Sequence, residues 1–469
     1  MAVSSDRGAA GPAAQASSLD GRTFTGGLPA DSELVIGDLV VLETPDGTRL
    51  LGQLLDKHGE RDRISCTGSV LGRAGGSDGS RPRPFAQATV TAAPPDVVEA
   101  LQERTGATMP IGAIRSNTPG LVARLRPAGF NRHTFLCGQS GSGKTYALGL
   151  ILEQLFLDTE LRVIIVDPNG DYVRLGEVRN DAAAGDAQRL QSVALRVLRP
   201  RDLGTESLRV RFATLAPETK AAILQIDPLA DRAEYNALLH LLERGNIREA
   251  EAIAAHLAEG DEVDRALGQR VENLGVLTWD VWALDHPSAT ELLVADERRV
   301  TVLDVGGFRH PPEPLVTAID LLDHLWENRE QRRPTLIVID EAHNVCSANP
   351  AGPIQAATTR RLIQIAGEGR KFGLWLLLST QRPSKIHPNV LSQCDNLALM
   401  RMNSPGDLVE LRDVFGFAPP SMLSASPSFR QGEMLVAGGF APAPTFVQVG
   451  ARRTHEGGSD VKVPMPTAE

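Results

Sequence analysis

The chain has few aromatic residues, no cysteine pattern, no long apolar run and no surplus of positive charge. Phe, Trp and Tyr make up 4% of its 469 residues. That is too few for a groove that reads single-stranded nucleic acid by stacking bases on rings. The four cysteines, Cys66, Cys137, Cys346 and Cys394, stand far apart. Their spacing excludes a zinc knuckle and a secreted disulfide framework, and reduced thiols in a cytosol are expected. No stretch reaches the roughly 18 apolar residues of a membrane helix. The N-terminus lacks the charged start and apolar core of a signal peptide. The expectation is a soluble, cytoplasmic protein. With a net charge of −10 the chain as a whole does not coat nucleic acid. A local basic channel stays open, because charge placement and not the total sets the electrostatic footprint.

What is present falls into blocks. Residues 1–31, rich in Ala, Ser, Gly and Pro, are expected to be disordered. "LVIGDLVVLETPDGTRLLGQLLD" reads as strands around a Pro-Asp-Gly turn, and "AQATVTAA" and "GLVARLRP" add further strands. Residues 32–127 are therefore expected to form a small β-barrel. From residue 128 the pattern alternates. The runs "TFLC", "RVIIVD", "VTVLDV", "TLIVID", "LWLLLST" and "NLALMRM" are short and rich in Val, Ile and Leu, as parallel strands buried on both faces are. The segments between them can form helices, so residues 128–212 and 296–450 read as an α/β core of βαβ units. Residues 213–295 break the rhythm. Ile247, Ala250, Ala254 and Leu257 recur at helical spacing, as do Val263, Leu267 and Leu274, which predicts an inserted helical subdomain. The tail, 451–469, is polar and reads as extended.

"GQSGSGKT" (138–145) fits the phosphate-binding pattern GxxxxGK[ST] in full, and a strand precedes it and a helix follows. Gly138, Gln139, Ser140, Gly141, Ser142 and Gly143 are expected to close backbone N–H groups around phosphates. Lys144 is expected to reach the β- and γ-phosphates of ATP, and Thr145 to ligate Mg²⁺. "LIVIDEAHN" (336–344) supplies the complementary half. Asp340 ends a buried strand and is the second Mg²⁺ candidate. Glu341, expected to point to the other face of the strand, is the candidate base for the attacking water. Gln381, just after "LWLLLST", is placed to sense the γ-phosphate. An acid beside the strand-end Asp, and a strand between the two nucleotide-binding strands, mark the additional-strand class of P-loop ATPases. Arg370 precedes that strand, at the sheet edge opposite the phosphates. In a ring such an edge can face a neighbour's nucleotide, so Arg370 is a candidate arginine finger in trans. Arg132 is a second candidate. His343 and His133 read as supporting residues.

At this point the chain resembles the HerA family of hexameric DNA translocases. "NRHTFLCGQSGSGKT", "VIIVDPNGDY", "LIVIDEAHN" and "GEGRKFGLWLLLSTQRPSKIHPNVLSQCDN" are similar to the family's nucleotide and sensor blocks. "IGDLVVLETPDGTRLLGQLLD" resembles its N-terminal barrel, and "GEMLVAGGFAPAPTFVQV" its C-terminal strands. The resemblance implies a RecA-like core, a homohexameric ring and ATP-driven movement of double-stranded DNA through its centre. It also implies Arg370 as the trans finger, Gln381 as the sensor, and a nuclease or other effector bound through the barrel in DNA end processing or phage defence. Asn169 and Asp171 stand where the family often has His and Glu, which leaves the role of that turn open.

Residues 355–390 hold Arg360, Arg361, Arg370, Lys371, Arg382 and Lys385 against the single acid Glu368. Six copies around a pore would concentrate this charge where duplex phosphates pass. Arg360, Arg361 and Lys385 are the candidate DNA contacts. Two other classes of function share these motifs: a secretion or conjugation ATPase that moves protein, and an ATPase ring that serves mainly as scaffold for an effector enzyme.

Overall fold

The computed structural model describes residues 14–59, 64–75, 82–201, 206–244, 256–295 and 298–458. These form two compact units, one from residues 14–129 with 397–450, the other from 130–396 with 451–458.

In the first unit six strands close an antiparallel barrel: β1 (Gln15–Ser18), β2 (Thr23–Leu28), β3 (Leu39–Glu43), β4 (Arg49–Gly59), β5 (Ile64–Arg73) and β6 (Phe85–Ala92). Their order is β1-β2-β5-β4-β3-β6, and β1 pairs with β6 to complete the ring. Closure removes the free edges that would otherwise template aggregation. Phe24, Leu28, Val40, Leu42, Leu50, Leu54 and Val90 fill the interior. Two expectations are corrected here. Residues 14–31 are not disordered: β1 and β2 belong to the barrel, because Ala16, Phe24 and Leu28 alternate inward among small residues that composition alone reads as loop. The barrel also stops at Ala92. Helix Pro95–Thr105 follows, and β7 (Met109–Ile114) and β8 (Val122–Leu125) join the strands Glu433–Gly438 and Thr445–Val449 in a separate antiparallel ladder. Residues 397–450 thus fold with the N-terminal unit and not with the nucleotide core. Residues 1–13 lie outside the described residues.

The second unit carries six parallel strands: β9 (His133–Cys137), β10 (Arg162–Asp167), β11 (Leu195–Leu198), β12 (Val300–Asp304), β13 (Thr335–Ile339) and β14 (Leu374–Thr380). Their order is β11-β12-β10-β13-β14-β9. Strand β14 therefore lies between β13, which leads to Asp340, and β9, which leads to the glycine-rich loop. Every residue of β9 and β13 is buried, as their unbroken apolar runs require. β15 (Cys394–Leu399) carries the chain from this unit back to the first. The 213–295 region contains the helices Pro217–Ile223, Arg232–Arg244, Glu262–Asn273 and Ala289–Ala295. Asp261 starts the third of these, accepting from Val263 N and Asp264 N in a capping box. Leu257, Leu267, Val271, Trp279 and Trp282 pack as its core. Ile247, Ala250 and Ala254 lie outside the described residues.

Candidate functional site

The glycine-rich loop turns at Gly141 (φ 74°) and Gly143 (φ 96°), a left-handed backbone that side chains rarely adopt. Helix Lys144–Asp158 starts directly after it, so its first free N–H groups and its positive dipole end face the loop. Ser142 Oγ is buried without a hydrogen-bond partner. An unpaired buried hydroxyl costs about 1–3 kcal/mol and fits a loop whose ligand is rich in acceptor oxygens. Gln139 is half-buried, and Ser140 and Gly141 are exposed at the mouth.

Lys144 is buried and donates to Asp340 Oδ1 (2.7 Å) and Ser379 Oγ (3.0 Å). Its Nζ lies 3.2 Å from Glu341 Oε1. Burial alone would lower the pKa of this ammonium, but the two carboxylates outweigh it and raise it above the usual lysine value. A phosphate group entering the loop would compete with these carboxylates for the same cation. The position of Glu341 corrects the expectation that it points away from Asp340. Its backbone is left-handed (φ 44°), so the strand alternation ends at Ile339 and both carboxylates converge on Lys144. Glu341 Oε2 is buried and accepts no hydrogen bond; it is the lone-pair-bearing oxygen left for a water.

The sequence left the 167–172 turn without a role, and the structure places it in the site. Asp167 accepts from the N–H groups of Asn169, Asp171 and Tyr172. Burial still pushes its carboxyl up to about 6 against those bonds. The turn so fixed presents Asp171 and Tyr172. Thr145 Oγ1 donates to Asp171 Oδ2 (3.3 Å), and Tyr172 OH donates to Asp340 Oδ2 (3.2 Å). Burial, then the nearby Asp340, raises the Asp171 pKa. Thr145, Asp340 and Asp171 supply hard oxygen donors on one side of Lys144, the donor type Mg²⁺ takes. Among the described residues no cluster of three or more His, Cys, Asp or Glu could hold a metal alone.

Gln381 is half-buried directly after β14, next to the loop, where Gly138 N donates to the Thr380 carbonyl (3.3 Å). Arg132, Arg370 and Asp395 lie at the starts of β9, β14 and β15, the strand ends opposite the loop. Arg370 Nη1 donates to Asp395 Oδ2 (2.8 Å), and Arg132 Nε is 3.5 Å from the same oxygen. His133 is structural, as expected. Leu376 N donates to its Nδ1 (2.9 Å), and its Nε2 meets the Ala366 carbonyl (3.0 Å).

Of the DNA candidates, Arg360 and Lys385 are exposed. Arg361 is corrected: its Nε donates to buried Asp323 (2.6 Å). Helix Pro353–Glu368 carries Arg361 and turns it inward. The described tail residues pack into the second unit. Arg452 is fully buried beside fully buried Glu153 of the Lys144–Asp158 helix, Nε to Oε1 3.4 Å. Glu153 also accepts from Arg453 N and Thr454 N (2.8 Å each). Glu153 stands out in the sequence as an acid inside the apolar stretch of that helix, and that was the available signal.

A glycine-rich loop, two strand-end acids and an intervening strand define an additional-strand P-loop ATPase. A family model described as "Helicase HerA, central domain" matches residues 109–273. The DNA double-strand break repair helicase HerA of Sulfurisphaera tokodaii is 23% identical over 359 residues, 72% of this chain and 68% of that protein. A probable helicase of Methanocaldococcus jannaschii is 31% identical over 157 residues, 33% of this chain and 29% of that protein. Thus the match spans under a third of one relative and about two thirds of the other. Among solved structures, VirB4 of Thermoanaerobacter pseudethanolicus aligns with a TM-score of 0.51 at 17% identity, over 74% of this chain and 97% of that one. The bacterial conjugative coupling protein TrwB aligns at 0.50 and 13%, over 77% and 93%. These two share the fold. The chain is a P-loop ATPase similar to the HerA helicases.

Proposed function

We propose that this protein hydrolyses ATP and uses the energy to move double-stranded DNA through a homohexameric ring. The observation that carries the reading is the convergence of Asp340 and Glu341 on Lys144, with Glu341 Oε2 buried and unbonded. Lys144 neutralises the β- and γ-phosphates, Glu341 takes the proton of the attacking water, and Gln381 contacts the γ-phosphate. Thr145 and Asp340 would hold Mg²⁺, with Asp171 behind Thr145; the ion would supply neutralisation of phosphate charge. Arg370 reaches the nucleotide of the neighbouring subunit and stabilises the charge of the transferred group.

Exposed Arg360, Lys371, Arg382 and Lys385 bind duplex phosphates without reading sequence. The barrel receives a nuclease or other effector, whose DNA end processing or phage defence the motor serves. No described helix is long and apolar enough to cross a membrane.

A displacement assay tests the movement itself. Linear duplex DNA carrying biotin at one end is capped with streptavidin, and the protein is added with ATP. Displacement that needs ATP and fails with Glu341→Gln is expected. Hydrolysis without displacement on any duplex length would favour the scaffold reading.

A further inference from the structure

His343 has a function that its place beyond the strand-end acids does not suggest. Its Nδ1 lies 3.0 Å from Thr380 Oγ1 and 3.3 Å from Glu341 Oε2. Thr380 is the last residue of β14, fully buried, and its Oγ1 already accepts from Arg382 N (3.0 Å). The ring nitrogen thus faces two oxygens. One is a carboxylate, and the other has an N–H donor of its own. A lone pair on Nδ1 would oppose the carboxylate, so Glu341 favours the tautomer with the proton on Nδ1, and the Thr380 hydroxyl can accept it. His343 and Glu341 are both largely buried, with side chains 15% and 14% exposed, so their relative placement is fixed by packing and not by solvent.

We propose that His343 is a positioning residue for Glu341, and that with Thr380 it links the base to the segment 380–382 that carries Gln381 and the exposed Arg382. The proposal rests on the reading of Glu341 as the base. Three consequences follow from the geometry. The imidazole, bonded to Thr380, stands 3.3 Å from Oε2 and leaves it beside the site without a hydrogen bond that would consume its basicity. The contact joins the ends of β13 and β14, neighbouring strands in register, so a shift of one strand end is felt at the other. Arg382, two residues beyond Thr380, lies in the most basic stretch of the core, so DNA held there bears on the base through Thr380 and His343. This is a coupling path of three contacts.

Steady-state ATP hydrolysis of the full chain, with and without linear duplex DNA, tests it in four variants. His343→Ala and Thr380→Val each remove one member of the link. Each is expected to lower kcat between about 10- and 100-fold, the cost of misplacing a reacting group. KM for ATP should stay within about twofold, because the phosphate loop is untouched. Stimulation by DNA should fall with kcat. His343→Asn, which keeps an N–H near the Nδ1 position, and Thr380→Ser, which keeps the hydroxyl, are expected to recover most of the rate. In a Glu341→Gln background His343→Ala should add no further loss, since His343 acts only through Glu341. Thermal melting with and without ATP identifies a variant that merely fails to fold, and Thr380→Val then carries the test. A kcat of His343→Ala within twofold of the parent, or a further loss in the Glu341→Gln background, overturns the proposal. Full hydrolysis by Glu341→Gln overturns instead the reading on which it rests.

Discussion

Arg132 and Arg370 share one carboxylate, the Asp395 Oδ2 atom, at 3.5 and 2.8 Å. Both arginines are part-exposed at the strand ends opposite the phosphate loop. No nucleotide of their own subunit is within reach there. Asp395 holds them in a fixed direction, which reduces the entropy lost when a guanidinium meets a neighbour's phosphate. Arg370 makes the shorter contact, and it is the residue we propose as the finger.

Arg370→Ala is expected to lower ATP hydrolysis on the order of 10³-fold, and Arg132→Ala by less than tenfold. Mixing separates action in trans from action in cis. Arg370→Ala and Glu341→Gln subunits, each inactive alone, should regain measurable hydrolysis together, because a mixed interface pairs an intact Glu341 with an intact Arg370. Rates no higher than the sum of the two would place Arg370 outside the neighbour's site.

Lys144 is held between Asp340 and Glu341, and its removal leaves buried charge uncompensated. Lys144→Met is expected to abolish ATP binding and to destabilise the fold by about 3 kcal/mol. Adding Glu341→Gln should return part of that stability. Urea unfolding of the two variants against the parent measures both effects.

His133 makes stability depend on pH. Burial first, then the charges of Arg370 and Arg132, lower its pKa from 6.5 to about 4 against the bond to Ala366. The folded chain therefore binds this proton less readily than the unfolded chain. The stabilising contribution is whole above pH 6.5 and is lost as pH falls from 6.5 to about 4. It amounts to roughly 3 kcal/mol. Unfolding free energy in this window should fall more steeply for the parent than for His133→Gln.

Gly149 lies in the helix that carries Lys144. A Cβ there would sit 2.4 Å from Arg452 Cζ. Alanine in place of an exposed helical glycine normally stabilises by up to about 1 kcal/mol. Gly149→Ala is expected to destabilise by about 1–3 kcal/mol instead. In an Arg452→Ala background the same change should become neutral or favourable, which chemical denaturation of the pair will register.

The nucleotide core was legible because its signals are local. The glycine-rich loop needs its glycines within eight residues, and parallel strands buried on both faces announce themselves as apolar runs. What escaped depends on distant partners. β1 and β2 are built from small residues whose inward alternation has meaning only once the barrel closes. β11 has four residues and an arginine. Asp171, Tyr172 and Ser379 became site residues only when the sheet brought their strand ends together. Arg361 and Arg452 look like surface charges until Asp323 and Glu153, far along the chain, are seen to neutralise them. Glu341 was assigned to the wrong face, since strand alternation does not survive a left-handed residue.

The central claim is a shared, DNA-driven ATP site, and one measurement addresses it most directly. ATP hydrolysis by the purified protein is followed with and without linear duplex DNA, alongside Lys144→Ala and Arg370→Ala. The account predicts hydrolysis that duplex DNA raises severalfold and that both substitutions remove. Undiminished hydrolysis in Arg370→Ala, or a rate indifferent to DNA of every length and end structure, would contradict it.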